Sequence, residues 1–357
     1  MEFSSFTFFV TDDCNFNCSY CYQKKGKKYI DISTLENALD FFLPFLKEEC
    51  FINFYGGEPL LAFDQIRHTV DYIQDKSKGK KRQIQYSITT NGSLINDDIL
   101  RFLNQYKFSL LLSFDGIAQD ILRKRGSFRQ IVSIIGKLLK NPGLDLEINS
   151  VFTPTTIGYL SRSIQYIIEL GVPNVSISLC QISSWEPPSL IQLKEELASL
   201  RGFILSLYQR MGSIPLIDFR KKSRRGIFTC FAGKDRMAMT PDSKLWGCHL
   251  FLDCFKGKEG TKEYHKYCFG DLNLFIENYE EIYPKILSNY SGLRMDHFYT
   301  NDTFCIQCDE LEECRICPMD NKLSGSNIRA IPYWACETNR IFRKERSLFW
   351  KELERAK

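Results

Sequence analysis

The sequence predicts an α/β protein: a partial (β/α)6 TIM-like barrel followed by a small cysteine-rich C-terminal domain. Three observations carry this. Strand-like and helix-like segments alternate six times before residue 212. Short glycine and polar motifs follow the strands at their C-terminal ends, where barrels of parallel strands build active sites. Nine of the fourteen cysteines lie beyond residue 212, where the composition changes.

The strands are expected at Ser5–Thr11, Phe51–Tyr55, Gln83–Thr89, Phe108–Phe114, Leu144–Phe152 and Val175–Gln181, each rich in β-branched or aromatic residues. Amphipathic helices are expected between and after them, at Ser33–Glu48, Phe63–Ile73, Asp97–Tyr106, Phe128–Leu139 and Tyr159–Leu170. Ile66, Val70 and Ile73 fall at helical spacing in the second, and Ile164, Ile167 and Ile168 make one stripe in the fifth. A long helix, Ser189–Arg210, closes the series. Strand–helix repeats of this kind imply parallel strands with helical crossovers. The expected division is a core over 1–212, a linker over 213–229 and the cysteine-rich unit over 230–357. The linker carries the basic run Arg220-Lys221-Lys222-Ser223-Arg224-Arg225, read as a solvated face, with attraction of an acidic peptide as the sharper alternative.

The 357 residues are 44% hydrophobic and 25% charged, the range of globular proteins that bury a core. The sequence has no apolar run long enough to span a membrane and no secretory signal, so no membrane association is expected. A net charge of +4 is too small to imply nucleic acid. Fourteen cysteines without a signal argue for metal or redox chemistry in a reducing compartment, so a cytoplasmic location is expected.

The most informative run is Cys14-Asn15-Phe16-Asn17-Cys18-Ser19-Tyr20-Cys21. Its CxxxCxxC spacing is unlike the paired CxxC units of zinc sites. Three thiolates can hold three irons of a 4Fe–4S cluster and leave the fourth open. Tyr55-Gly56-Gly57-Glu58-Pro59 ends the second strand, Thr89-Thr90-Asn91-Gly92 the third and Ser113-Phe114-Asp115-Gly116 the fourth. Paired glycines allow close backbone approach, and a carboxylate beside them can accept from an ammonium group. Each motif alone is also an ordinary strand end with a turn. Together, and in this order, they resemble the radical S-adenosylmethionine (SAM) enzymes. The resemblance implies that Cys14, Cys18 and Cys21 hold the SAM-binding cluster. It places Gly56, Gly57 and Glu58 on the SAM amino group, with Tyr20 and Asn91 in the pocket and Ser113 on the ribose or carboxylate. It puts Arg123 on the SAM carboxylate, with Arg125 as substitute because the spacing to Gly126 is shortened.

Cys230 and Gly247-Cys248 precede Cys305-Ile306-Gln307-Cys308, Cys314-Arg315-Ile316-Cys317 and Cys336. Four of these thiols could hold zinc. The array also resembles the SPASM extension of some radical SAM enzymes. That implies one auxiliary 4Fe–4S cluster on Cys305, Cys308, Cys314 and Cys336 and another on Cys230, Cys248 and Cys317, three clusters in all. Two departures stand out: two residues, not three, separate Cys314 from Cys317, and a fourth ligand for Cys230's set is not evident. Cys254, Cys268 or an open iron are the alternatives. Cys50 reads as a core residue, and Cys180 as facing the cavity. His249 follows Cys248 where sulfatase-maturing members carry an aspartate, which counts against an ordinary sulfatase maturase. Its imidazole could serve as a catalytic base or merely support a cluster ligand.

The resemblance implies a peptide maturase. The 5′-deoxyadenosyl radical would abstract hydrogen, and oxidation would close a C–C or thioether cross-link. Expected partners are a peptide with a leader segment and an electron donor such as flavodoxin or ferredoxin. With the first strand starting by residue 5, leader recognition is expected from the barrel, the cysteine-rich surface or a separate protein. Two alternatives stand beside this: oxidation of a protein residue or of a small molecule such as a sugar, and a cluster- or zinc-binding interaction protein without catalysis.

Overall fold

The computed structural model of the chain describes residues 1–79, 82–221 and 226–355. Strands β1 (Phe3–Thr11), β2 (Leu46–Gly56), β3 (Gln83–Thr90), β4 (Ser109–Ser113), β5 (Asp145–Phe152) and β6 (Asn174–Leu179) pair in parallel, neighbour on neighbour. Helices α1 (Ile32–Phe42), α2 (Phe63–Lys76), α3 (Asp97–Gln105), α4 (Gln119–Leu122), α5 (Ser127–Leu138) and α6 (Leu160–Glu169) lie in the connections. The 25-residue α7 (Pro187–Met211) follows β6 and ends at Gly212, whose φ of +67° suits glycine at a helix terminus. β6 forms one edge of the sheet, so the barrel is open, as the sequence predicts.

Side-chain alternation explains which face meets the helices. Phe8, Ile52, Phe54, Ile88, Leu112 and Ile148 are buried against helical residues such as Leu35, Val70, Leu103, Ile135 and Ile164. The intervening positions are polar and line a cavity: Ser5, Thr7, Asn53, Ser87, Ser113, Asn149 and Ser178. Thr7, Asn53 and Ser87 stand in register across three strands. Asn53 Nδ2 donates to Thr7 Oγ1 (3.2 Å), and Ser87 Oγ to Asn53 Oδ1 (2.5 Å). A parallel strand covered on both faces would read as continuously apolar.

The expected helix Ser33–Glu48 is corrected. α1 stops at Phe42, one 3₁₀ turn follows over Leu43–Phe45, and Leu46 begins β2. Pro44 lacks the N–H that a continuing helix needs. Glu49 and Cys50 take sheet partners in Gln83 and Ile84 instead. Cys50 is buried there, in the core.

Beyond α7 the sheet continues. β7 (Arg236–Met239) pairs in parallel with β1, and β8 (Lys244–Trp246) and β9 (Cys268–Asp271) extend it antiparallel. Helices α8 (His249–Phe255), α9 (Lys262–Tyr267), α10 (Leu272–Ser291), α11 (Pro318–Leu323) and α12 (Tyr333–Arg355) complete the chain. Rings seal α10 to α1, with Phe42 stacked on Phe275 and Phe41 edge-on to Tyr279. α12 returns to the core through the Arg201–Glu345 ion pair and the Trp350 Nε1–Phe219 O bond (2.9 Å). Of the basic run, Arg220 bonds Ile214 O and Asn174 Oδ1, and Lys221 lies over the Trp350 ring. Its remainder, 222–225, lies outside the described residues. Among the described residues no helix is long and apolar enough to cross a membrane.

Candidate active site

The loop after β1 carries Cys14, Cys18 and Cys21. It is anchored at its base by Thr11 Oγ1 to Lys28 O (2.8 Å) and by Gly26 N to Asp12 O (3.0 Å), and at its far side by Ser19 N to Leu122 O (2.8 Å). All three thiols are half-buried and line one cavity of about 910 Å³. Burial pushes the Cys18 thiol up to about 11, against the pull of Arg123. Iron binding must therefore displace protons. The donor set fits three irons: three sulfurs of the right type on one loop, opening into a shared cavity.

Gly56 and Gly57 are needed because the chain itself comes close. A Cβ on Gly57 would stand 2.2 Å from Asp13 O, and one on Gly56 2.4 Å from Thr11 O. Gly57 N and Glu58 N bond to Thr11 O and Asp13 O. The glycines thus seat the cysteine loop, and both also line the cavity.

Glu58 departs from expectation. It is fully buried and is not among the lining residues. Its carboxylate accepts from Leu60 N (3.0 Å), Thr90 Oγ1 (2.6 Å) and Asn91 N (2.8 Å). Burial raises its pKa to about 6. These bonds lock the end of β2 to the end of β3. Asn91 lines the cavity and donates to Asn15 Oδ1 (2.9 Å), which steadies the cysteine loop. Ser113 lines the same wall.

Arg123 reaches the cavity, whereas Arg125 is exposed and is not among its lining residues. The Arg123 guanidinium is already paired: Nε with Asp115 Oδ2 (2.8 Å) and Nη2 with Asp115 Oδ1 (3.1 Å). Asp115 also accepts from Tyr20 OH (2.8 Å) and Val151 N (2.8 Å). Tyr20 and Arg123 are therefore held as a unit on the wholly buried carboxylate of Asp115, which the sequence reading quoted within the Ser113–Gly116 motif but gave no role of its own. An arginine eight positions after an aspartate was the available signal; the burial was not legible.

The C-terminal region lines the same cavity. His249 opens α8 and lines the cavity with Cys248, and its ring lies 4.4 Å from that of Tyr55. Burial lowers its pKa; Asp253 opposes this. Tyr22 and Tyr55 share an OH···OH contact (3.3 Å) beside it. Asp253 Oδ2 is buried with no hydrogen-bond partner, and burial lifts that carboxyl to about 7. Tyr22, Tyr55 and Asp253 were not singled out from the sequence. Tyr22 adjoins Cys21, and Tyr55 adjoins the glycine pair, so position was their only sign.

Seven of the other cysteines gather in two sets, Cys230 with Cys248 and Cys317, and Cys305 with Cys308, Cys314 and Cys336. Burial raises Cys317 far, and Cys230 and Cys248 add to that. Cys305 is pushed up to about 12 by burial and then by Cys314, Cys336 and Cys308. Among the described residues no group of three or more His, Cys, Asp or Glu side chains is arranged to hold a single metal ion. Cys254 Sγ points to Met319 O (3.8 Å), and Cys268 Sγ accepts from Gly270 N (3.4 Å). Cys180 follows β6, lines the cavity and contacts Ser183 Oγ.

An open parallel barrel with a three-cysteine loop at its mouth defines a class, and comparison agrees. Residues 8–170 match the Radical SAM superfamily. An uncharacterized protein of Methanocaldococcus jannaschii is 36% identical over 196 residues, 54% of this chain and 68% of that one. Radical SAM cyclopropyl synthase TigE of Paramaledivibacter caminithermalis is 24% identical, covering 98% of this chain and 76% of TigE. Native anSMEcpe with bound AdoMet and Cp18Cys peptide shares the fold, with a TM-score of 0.71 at 18% identity and 99% coverage of each chain. The chain belongs to the radical SAM superfamily.

Proposed function

We propose that this radical SAM enzyme oxidises a peptide and closes a C–C or thioether cross-link in it. One observation carries the reading: a single cavity is lined both by Cys14, Cys18 and Cys21 and by Cys248 with His249. A fold neighbour solved with a peptide supports the class of substrate, and a relative named for making a cyclopropyl group supports carbon–carbon bond formation.

When bound, the first 4Fe–4S cluster with SAM supplies the 5′-deoxyadenosyl radical, and clusters on the two C-terminal cysteine sets supply an electron acceptor. Cys14, Cys18 and Cys21 hold three irons. Asn91 keeps the loop in place, and the Asp115–Arg123–Tyr20 unit walls the pocket. Ser113 and the polar strand positions offer hydrogen bonds to a peptide backbone. Cross-linking removes two hydrogens: one leaves as an atom, the other as a proton and an electron. His249 takes the proton. Its Nδ1 lies 3.8 Å from Cys248 Sγ; with Cys248 as a thiolate, Nδ1–H donates to the sulfur and Nε2 is the acceptor.

The test is anaerobic incubation of the reconstituted enzyme with SAM, reductant and short peptides encoded beside its gene. The expected product is a peptide lighter by two hydrogens, formed alongside 5′-deoxyadenosine. Deoxyadenosine made with every such peptide left unchanged, but accompanied by conversion of a sugar or a folded protein, would overturn the peptide reading.

A further inference from the structure

Helix α12 turns one face to the set Cys305, Cys308, Cys314 and Cys336. Cys336, Arg340 and Arg343 follow one another at spacings of four and three, which stacks them on one side. Glu310, two residues after Cys308, grips both guanidiniums: Arg343 Nη2 at 2.7 Å and Arg340 Nε at 3.1 Å. Asn339 Oδ1 takes Arg343 Nη1 (3.0 Å), and Glu337 takes Arg340 Nη1 (2.8 Å). The two differ in depth: the Arg343 side chain is 9% exposed and that of Arg340 45%. Arg343 Nε is buried without a hydrogen-bond partner. A buried donor left unpaired is costly, so it points to an acceptor supplied by something bound there. Arg343 is also a direct neighbour of Cys314.

The set Cys230, Cys248 and Cys317 has different company. Asp320, in the first turn of α11, stands three residues after Cys317, and its N–H bonds Cys317 O (3.0 Å). The cations beside this set are Lys234, half-buried, and Arg236, exposed.

We propose that Arg343, assisted by Arg340, makes the set Cys305, Cys308, Cys314 and Cys336 the more easily reduced of the two C-terminal centres. The inference rests on the reading that both sets carry iron–sulfur clusters. A thiolate-ligated cluster is anionic and gains a further negative charge on reduction. A buried cation beside it stabilises the reduced form more than the oxidised one. An exposed cation does less, because water and salt screen it.

The experiment uses full-length protein carrying Cys14→Ala, Cys18→Ala and Cys21→Ala, reconstituted so that only the C-terminal centres remain, and titrated electrochemically with EPR detection. Two reduction waves are expected. Arg343→Gln keeps the bulk and loses the charge. It should lower the higher wave by at least a tenfold change in the reduced-to-oxidised ratio, which is 59 mV for one electron. Arg340→Gln should lower it less, and the other wave should stay put. Glu310→Gln, which removes the opposing charge, should raise the higher wave. If Arg343→Gln fails to hold iron, Arg343→Lys and Glu310→Gln decide the matter. Unmoved waves, or equal movement of both, overturn the proposal. Zinc in place of iron at these cysteines defeats the underlying cluster reading instead, and metal analysis reveals that before any titration.

Discussion

His249 meets the cavity as a neutral base, because burial holds its pKa below the ordinary 6.5. A lowered histidine pKa leaves the proton-accepting form dominant at neutral pH and depletes it only in acid. His249→Ala should still yield 5′-deoxyadenosine, since that step uses the first cysteine loop. Cross-linked product should fall on the order of a hundredfold, the scale of a lost general base. In the unsubstituted enzyme the ratio of product to deoxyadenosine should decline only below pH 6.5. Quantifying both products across pH checks this, and a parallel decline in both would reduce His249 to a supporting role. Glu58 makes a different kind of residue-scale claim. Its two oxygens serve three protein donors, so Glu58→Gln turns an NH2 toward a backbone N–H or the Thr90 hydroxyl. One buried donor or more then goes unmet, at a cost of about 1–3 kcal/mol. The unfolding midpoint should drop accordingly, and any loss of SAM affinity should follow from a loosened Asn91. An unchanged midpoint with weakened SAM binding would return Glu58 to direct ligand contact.

At the scale of elements, the cysteine loop is clamped to the C-terminal region by two lysines. Lys256 Nζ pairs with Asp12 Oδ2 (2.8 Å) and bonds Lys24 O (2.5 Å), while Lys24 Nζ bonds Lys256 O (2.9 Å). Asp12 is buried, so the pair is not merely a surface contact. Lys256→Met should cost about 1.5–3 kcal/mol, the range for hydrogen bonds to charged groups. The loss should appear as faster amide exchange at Gly26 and Lys28, which bond to Asp12, with β5 and β6 unaffected. Nothing in the sequence announced this clamp, because 232 residues separate its ends. The order of six strand–helix units was legible, since each writes its period over ten residues or so. Leu46–Cys50 was not: Leu46, Lys47 and Glu48 fall within the expected helix Ser33–Glu48, and only pairing with β1 and β3 makes the segment strand. β7, β8 and β9, of four, three and four residues, are too short to carry a period and are specified by their neighbours.

For the whole molecule, the continuous sheet matters most. β7 hydrogen-bonds to β1, and the loop bearing Cys14 begins where β1 ends, so the two cysteine-bearing regions share one rigid frame around the cavity. Thr89, Thr90, Asn91 and Ser113 of the polar lining were readable as motifs at strand ends, whereas Thr7, Asn53, Ser87, Asn149 and Ser178, inside the strands, were not. The joining of the walls was not, because it depends on β1 accepting a second parallel neighbour more than 200 residues away. The frame sets up a test of cofactor content. Three 4Fe–4S clusters give about twelve irons per chain. Replacing Cys14, Cys18 and Cys21 together by alanine should leave about eight and abolish deoxyadenosine formation. The three thiols sit on the loop and take no part in the β1–β7 ladder, so the frame does not need them. Iron analysis with circular dichroism separates the outcomes. Loss of all iron with the fold retained would mean that the loop cluster supports the others across the cavity. About four irons in the unsubstituted protein, with zinc making up the remainder, would leave the radical-forming loop intact and remove the auxiliary clusters from the reaction.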